Sequence, residues 1–382
     1  MKNFTFYNPT RILFGKGRIA DLAREIPAGA RVLVTYGGGS ALVNGTLPEV
    51  RDALRGFVSI EFPGIEPNPA YETLQRAAEI ARREKIDFLL AVGGGSVIDG
   101  TKFIAAAVPF AGDPWDILEK HAKITAALPF GTVLTLPATG SEMNNGAVIS
   151  RATSKLAFGS PRTYPLFSIL DPTKTYSLPP KQTANGVVDA FVHVIEQYLT
   201  FPVQAKVQDR FSESLLLTLI EEGPKVLKDP QNYDARANVM WAATMALNGL
   251  VAAGVPTDWA THMVGHEITA IHGLDHAQTL AVVLPAMLTV RREEKREKLL
   301  QYADRVWGLR AGAPDDIIDR AIECTRNFFE SLGVKTRLSD YGIGGDAIPA
   351  LLSQLERHKM TALGEHGAFG VEDARKTLER AL

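Results

Sequence analysis

The chain contains a single cysteine, Cys324, among 382 residues. One thiol cannot form an intramolecular disulfide, and a cysteine-rich zinc site is excluded. This scarcity fits a reducing, cytoplasmic setting. An excess of charge of either sign is also missing: 41 Lys and Arg stand against 43 Asp and Glu, for a net charge of -2. That balance offers no electrostatic footprint for nucleic acid or an anionic membrane as partner. A long apolar run is wanting too. The best candidate, residues 239–256, is interrupted by Asn248 and Gly249 and falls short of the roughly 20 residues that span a bilayer, so it reads as a buried helix. The first fourteen positions mix Lys2, Asn3, Asn8 and Arg11 with aromatics and show neither the basic start nor the continuous apolar centre of a secretory signal. Export is not expected. No internal repeat or low-complexity segment is present.

What the chain does have is the composition of a globular protein, with 46% hydrophobic and 22% charged residues. Its length suggests two domains, each large enough to bury a core without help from metal or disulfide. The first half alternates short apolar runs with amphipathic segments. Arg31-Val-Leu-Val-Thr-Tyr36, Asp87-Phe-Leu-Leu-Ala-Val92 and Thr132-Val-Leu-Thr-Leu136 suit strands covered on both faces. Between the first two, Leu74, Ala77, Ala78 and Ala81 repeat at helical spacing over residues 71–85. This switching of period predicts a parallel, doubly wound sheet. Past Tyr176 the texture is helical, over residues 183–199, 205–227, 235–253 and 315–332. Consecutive prolines at 179 and 180 place the boundary. The expectation is an α/β dinucleotide-binding domain over residues 1–178 and an all-helical, metal-binding domain over 179–382.

Two strands end in a triple-glycine turn with serine, Gly37-Gly-Gly-Ser40 and Gly93-Gly-Gly-Ser96. Glycine lets the backbone approach a phosphate, and a following helix N-terminus offers unpaired N–H groups and a positive dipole end. A third loop, Thr139-Gly-Ser-Glu142, follows the strand at 132–136 and supplies hydroxyls. None matches G-x-G-x-x-G, so the usual Rossmann fingerprint is absent. Two such turns at strand carboxyl ends, where sheets of this kind bind ligands, favour phosphate binding over two tight connections.

Gly93-Gly-Gly-Ser-Val-Ile-Asp99-Gly-Thr-Lys102 and the Gly-Ser-Glu loop resemble the iron-containing (group III) alcohol dehydrogenases, over essentially the whole chain. Arg11-Ile-Leu-Phe-Gly15-Lys-Gly17, Glu66-Pro-Asn-Pro69 and Asn185-Gly-Val-Val-Asp189-Ala-Phe-Val-His193 are similar to the NADPH-dependent aldehyde reductase and butanol dehydrogenase branch. Pro137-Ala138 departs from the Ala-Gly that many members carry there, which leaves the local loop shape open. The resemblance implies a cofactor set of Gly37, Gly38, Gly39, Ser40, Gly94, Gly95, Ser96, Asp99, Thr135, Thr139, Ser141, Asn144 and Lys155. It also implies NADP(H) as cofactor: NAD-specific members carry an aspartate in the first loop, and Gly39 stands in that place.

Of eight histidines, four lie between positions 262 and 276: His262, His266, His272 and His276. Upstream, Asp189 and His193 are four apart on a predicted helix, so both project from one face. Such a pair can give two ligands to a divalent metal, with distant histidines completing the shell; it can equally be an ordinary hydrogen-bonded pair. The family's metal motif, an Asp-x-x-x-His pair followed by two histidines fourteen apart, is met by Asp189, His193, His262 and His276. His266-Glu267 opens like the H-E-x-x-H of a zinc hydrolase, but the second histidine would fall at Ala270, so that motif fails. His266 lies one turn beyond His262, as a supporting catalytic group or a core histidine. His272 reads as an outer neighbour at a helix exit, while His121, His358 and His366 read as surface residues.

The resemblance, with these residues in place, implies a metal-dependent alcohol dehydrogenase or aldehyde reductase, in which the metal polarises the oxygen of a small primary alcohol or aldehyde and hydride passes to or from NADP(H). No obligatory general base is assigned. The proposed architecture sets loops and metal across an interdomain cleft. Trp259, Met263 and Phe191 neighbour the ligands in sequence and either line an apolar pocket or pack in the core. Two other readings compete. A polyol dehydrogenase, or a cyclising synthase resembling dehydroquinate synthase, would want more charge near the metal than the surrounding Val, Ala, Met and Trp supply; a non-enzymatic nucleotide-binding protein would use a closed structural metal. Histidine and carboxylate suit Fe(II) and Zn(II) almost equally, and the resemblance implies a homodimer.

Overall fold

The computed structural model describes residues 1–382. Strands β1 (Arg11–Phe14), β2 (Arg31–Tyr36), β3 (Val58–Phe62), β4 (Phe88–Gly94), β5 (Phe130–Leu136) and β8 (Phe167–Leu170) form one six-stranded sheet in the order β1-β8-β5-β4-β2-β3. Every pairing in it is parallel. The alternation within β4 explains the continuous apolar runs. Leu89 and Ala91 join the core on one face of the sheet, while Phe88, Leu90 and Val92 join the core on the other, so both faces need apolar side chains. From β2 the chain moves outward to β3 and then returns to β4 on the other side of β2. This reversal makes the carboxyl ends of β2 and β4 the switch point where doubly wound sheets bind ligands. Both triple-glycine turns lie there.

The α/β region also carries helices α1 (Leu22–Glu25), α2 (Ser40–Val43), α3 (Thr46–Ala53), α4 (Tyr71–Arg83), α5 (Gly95–Ala107) and α6 (Asp116–Glu119). Beyond the sheet lies an antiparallel hairpin of β6 (Gly146–Arg151) and β7 (Ser154–Gly159). The helical region contains α7 (Pro180–Tyr198), α8 (Lys206–Lys228), α9 (Tyr233–Ala246), α10 (Ala260–His272), α11 (His276–Val290), α12 (Arg296–Arg305), α13 (Pro314–Ser331), α14 (Ile348–Arg357) and α15 (Val371–Arg380). None of these helices is long and apolar enough to cross a membrane.

Two expectations need correction. The helix read over residues 235–253 stops at Ala246, and turns follow. Gly249 and Gly254 take φ values of +91° and +73°, which do not continue a right-handed helix. At Gly254 a Cβ would also stand 2.8 Å from the Lys2 carbonyl, so glycine is required by close approach of the N-terminal segment. The single cut at residue 178 also misplaces two segments. One compact unit comprises Met1–Phe6, Pro179–Asp229 and Met245–Leu382, and the other Tyr7–Leu178 and Pro230–Thr244. Most of α9 therefore belongs with the sheet, where Trp241 packs edge-on against Phe14 at 5.9 Å and Thr244 Oγ1 donates to Glu142 Oε1.

Candidate metal centre and cofactor loops

Within the helical unit, α7 carries Asp189 and His193 one turn apart, and both are buried. Asp189 Oδ1 lies 3.4 Å from His193 Nδ1, 3.9 Å from His262 Nε2 and 3.7 Å from His276 Nε2. Potential ligand atoms of Asp189, His262 and His276 all lie within 4.8 Å of one another. His193 stands outside that trio but against it, its ring 4.6 Å from that of His262. The four expected residues are thus brought together from three helices. His262 sits in the first turn of α10. His276 opens α11, whose start is fixed by a capping box between Asp275 and Gln278 and by Asn185 donating to Asp275.

The donor set suits a divalent cation. Asp189 Oδ1 is buried without a hydrogen-bond partner, an expensive state for a carboxylate oxygen unless a cation serves it. Burial draws the His193 imidazole down to about 4, against the opposing pull of Asp189. The ring is therefore neutral at pH 7, as a metal ligand must be.

Around this cluster the remaining histidines separate. His266 is buried, with its ring 6.3 Å from His262 and 5.2 Å from His276. His272 is exposed at the last turn of α10 and joins none of these ring contacts. His358 is no surface residue: its side chain is 9% exposed and its Nδ1 meets buried Glu267 Oε1 at 2.7 Å, because it closes α14 against α10. His121 and His366 are exposed. Trp259 borders the cluster, with its ring 5.4 Å from His262. Phe191 does not; it is fully buried against Phe328 and Phe329.

One residue absent from the sequence reading touches the cluster directly. Glu196, 2% exposed, accepts from the N–H of Thr261 at 2.6 Å and from the N–H of His262 at 3.3 Å, and its Oε2 contacts His262 Nδ1. Burial pushes its carboxyl up, with the charge of Asp258 adding to this, while the Thr261 and His262 N–H groups favour the ionised form.

In the α/β unit the glycines divide by role. A Cβ on Gly93 would stand 2.6 Å from Val97, one on Gly94 3.0 Å from Leu136, and one on Gly95 2.4 Å from Thr139. The second turn therefore needs glycine first for its own packing. Gly38 and Gly39 differ, because a Cβ there meets nothing within 4 Å, and Gly39 has φ +106°. Their backbone is open for a ligand. Ser40 begins α2, and Ser96 lies in the first turn of α5.

Asp99, Ser141 and Asn144 are gathered by a lysine that sequence reasoning quoted but did not place in the site. Fully buried Lys102 donates to Ser141 Oγ at 2.8 Å, Asn144 Oδ1 at 2.8 Å and the Gly146 carbonyl at 2.7 Å. Ser141 in turn donates to Asp99 Oδ1, whose other oxygen accepts from the Val148 N–H. Burial draws Lys102 down to about 8, against Asp99 and Glu142. Thr135 is buried near the end of β5, Thr139 packs on Gly95, and Lys155 is buried on β7.

Residues 9–172 match the family described as iron-containing alcohol dehydrogenase, and residues 183–382 match the description "Fe-containing alcohol dehydrogenase family, C-terminal". The chain belongs to the iron-containing alcohol dehydrogenase family. It is 63% identical to the NADPH-dependent aldehyde reductase YqhD of Escherichia coli (strain K12), over 100% of both chains. It is 41% identical to the probable NADH-dependent butanol dehydrogenase 1 of Bacillus subtilis (strain 168), again over 100% of both. Among solved structures, the substrate- and cofactor-free form of YqhD from E. coli superposes with TM-score 0.93 at 61% identity, covering 100% of each chain. The NADH-dependent butanol dehydrogenase A of Thermotoga maritima superposes with TM-score 0.96 at 35% identity, covering 100% of this chain and 99% of that one. The protein is accordingly an oxidoreductase, and the expectation of a metal-dependent alcohol dehydrogenase or aldehyde reductase holds.

Proposed function

We propose that the protein interconverts small primary alcohols and aldehydes with NADP(H), using a divalent metal held by Asp189, His193, His262 and His276. The observation that carries this reading is the unpartnered, buried Asp189 Oδ1 among three imidazole nitrogens at 3.4, 3.7 and 3.9 Å. What a divalent ion supplies when bound is Lewis acidity toward the substrate oxygen, and what a nicotinamide supplies is hydride chemistry. The chain's own part is to hold and orient. Three neutral imidazoles and one carboxylate together carry a charge of about −1, so a bound divalent ion would keep a net positive charge. Trp259 borders it with an apolar face, which suits a small aldehyde better than a polyol. His266, buried next to His276, is assigned to proton relay rather than to metal binding.

The cofactor is assigned to the switch-point turns, with Gly37, Gly38, Gly39, Ser40, Gly94, Gly95 and Ser96 as its cradle. Asp99, Thr135, Thr139, Ser141, Asn144 and Lys155 complete the set. NADP(H) preference rests on Gly39: without a carboxylate there, a 2′-phosphate meets no like charge, and Ser40 with exposed N–H groups can donate to it. The 63% identical relative named as NADPH-dependent supports this choice. We assign the enzyme to the cytoplasm, on its single cysteine, and to a homodimer. Exposed Phe14 on edge strand β1 supports the dimer, and the mass in solution tests it.

The deciding experiment measures oxidation of NADPH and NADH with butanal before chelation, after chelation, and after reconstitution with Fe(II) or Zn(II). Turnover that favours NADPH, disappears with the metal and returns with one of the two ions is expected. Full turnover by metal-free protein would overturn the reading.

A further inference from the structure

Helix α10 starts under an unusual constraint. Its N-cap residue is Trp259, in the left-handed region at φ +65°, and its side chain makes no capping hydrogen bond. The first N–H groups of a helix need partners, and here they come from elsewhere. Asp258 Oδ1 takes the Ala260 N–H at 3.0 Å, and Glu196 takes the next two, from Thr261 and His262. The Glu196 carbonyl also accepts from the Asp258 N–H at 2.8 Å. Glu196 therefore ties α7 to the start of α10 through both its backbone and its side chain.

The same carboxylate faces the ring of His262. Asp189, His193 and Glu196 are spaced four and then three apart on α7, so one helical face carries two proposed ligands and the group that touches a third. As the carboxylate that the Thr261 and His262 N–H groups favour, Glu196 can only accept, so its contact with Nδ1 places the proton on the imidazole. The lone pair is then left on Nε2, the atom that lies 3.9 Å from Asp189 Oδ1.

We infer that Glu196 is a positioning residue for the metal, fixing the orientation and Nδ1–H tautomer of His262 and raising the basicity of its Nε2. The inference rests on the proposed ligand set and adds to it a buried carboxylate whose loss weakens metal binding without removing a ligand. Carboxylates placed behind a histidine ligand in this way typically change metal affinity about ten- to a hundredfold.

The test uses the full chain and compares wild type, Glu196→Gln and His262→Ala. Three quantities are measured: the Zn(II) dissociation constant by chelator competition, the electronic spectrum of the Co(II)-loaded protein, and the melting temperature of the metal-free protein. Glu196→Gln is expected to weaken Zn(II) binding about ten- to a hundredfold and to shift the Co(II) spectrum. A residue that only caps α10 would lower the melting temperature and leave both metal readouts at wild-type values; that result overturns the inference. Weak binding in His262→Ala beside wild-type binding in Glu196→Gln would overturn the positioning role alone, whereas unchanged binding in His262→Ala would overturn the ligand set beneath it. Should Glu196→Gln fail to fold, histidine-selective ¹⁵N spectra of the Zn(II)-loaded wild type decide instead: a proton on His262 Nδ1 supports the inference, and a proton on Nε2 overturns it.

Discussion

Asp189 Oδ1 lies 3.7 Å from His276 Nε2 and makes no hydrogen bond, although Asp189 is almost completely buried. Leaving such an oxygen unserved costs at least about 1–3 kcal/mol, and more for a charged group. A fold that tolerates this cost while arranging imidazole nitrogens around the same oxygen is organised for a cation. The chain is large enough to hold that arrangement without one, since its cores lie on both faces of the sheet and, separately, among α10, α11, α14 and α15.

Phe191 gives a sharp contrast with the proposed ligands beside it. It is two residues from Asp189 and two from His193, yet packs on Phe328 and Phe329 at 5.3 and 5.4 Å. Phe191→Ala is expected to cost about 3–5 kcal/mol of stability, read by urea unfolding, with the Michaelis constants for short aldehydes unchanged. A specific loss of longer aldehydes at wild-type stability would return Phe191 to the pocket.

The first glycine turn separates packing from ligand approach. Gly38→Ala meets no protein atom within 4 Å and carries no positive φ, so its melting temperature should match wild type while the Michaelis constant for NADPH rises severalfold. Gly94→Val is a poorer probe, because its side chain would run into Leu136. Gly39→Asp should lower kcat/KM for NADPH relative to NADH at least tenfold. The ratio is the proper readout, since φ +106° strains any side chain by about 1–3 kcal/mol whichever cofactor is offered. An unmoved ratio would contradict the preference.

Lys102 ties the Thr139 loop to α5 from inside the protein. Its three ammonium donors meet three acceptors at 2.7–2.8 Å. Lys102→Met is expected to cost about 1–3 kcal/mol for each buried acceptor left unserved, Ser141 Oγ, Asn144 Oδ1 and the Gly146 carbonyl. Its pH dependence has a definite sign. Lowered to about 8 in the fold from 10.5, the lysine sheds its proton earlier in the folded protein than in the unfolded chain. The cost of burying its charge is fully present below pH 8 and is relieved as pH rises toward 10.5. Urea unfolding at pH 7.5 and 9.5 should therefore show the deficit of Lys102→Met growing with pH, and a shrinking deficit would reverse the assignment.

How much of this could be read in advance depended on whether the signal was local. The β4 run and the Asp189/His193 spacing were legible because strand burial and one-turn contacts are encoded within a few residues. His262 and His276 entered through family resemblance, since no local rule brings α10 and α11 to α7. Glu196 and Lys102 were missed as site residues because their partners, the first turn of α10 and the Gly146 carbonyl, are set by tertiary packing. A residue seven after Asp189 falls on the same helical face, which is the signal that would have raised Glu196. For Phe191, left open between pocket and core, the structure chooses the core, because two residues along a helix turn a side chain to the far face. The end of α9 misled because its apolar pattern continues to Ala253 while the backbone leaves the helix before Gly249.

The ligand set is tested most directly by the metal content of purified wild type beside His276→Ala, with folding of each checked by circular dichroism. About one divalent ion per chain in the wild type is expected. A folded His276→Ala should bind Zn(II) or Fe(II) more than a hundredfold more weakly, a larger loss than removal of an outer carboxylate causes, and have no measurable turnover. A folded His276→Ala with wild-type metal content would contradict the assignment.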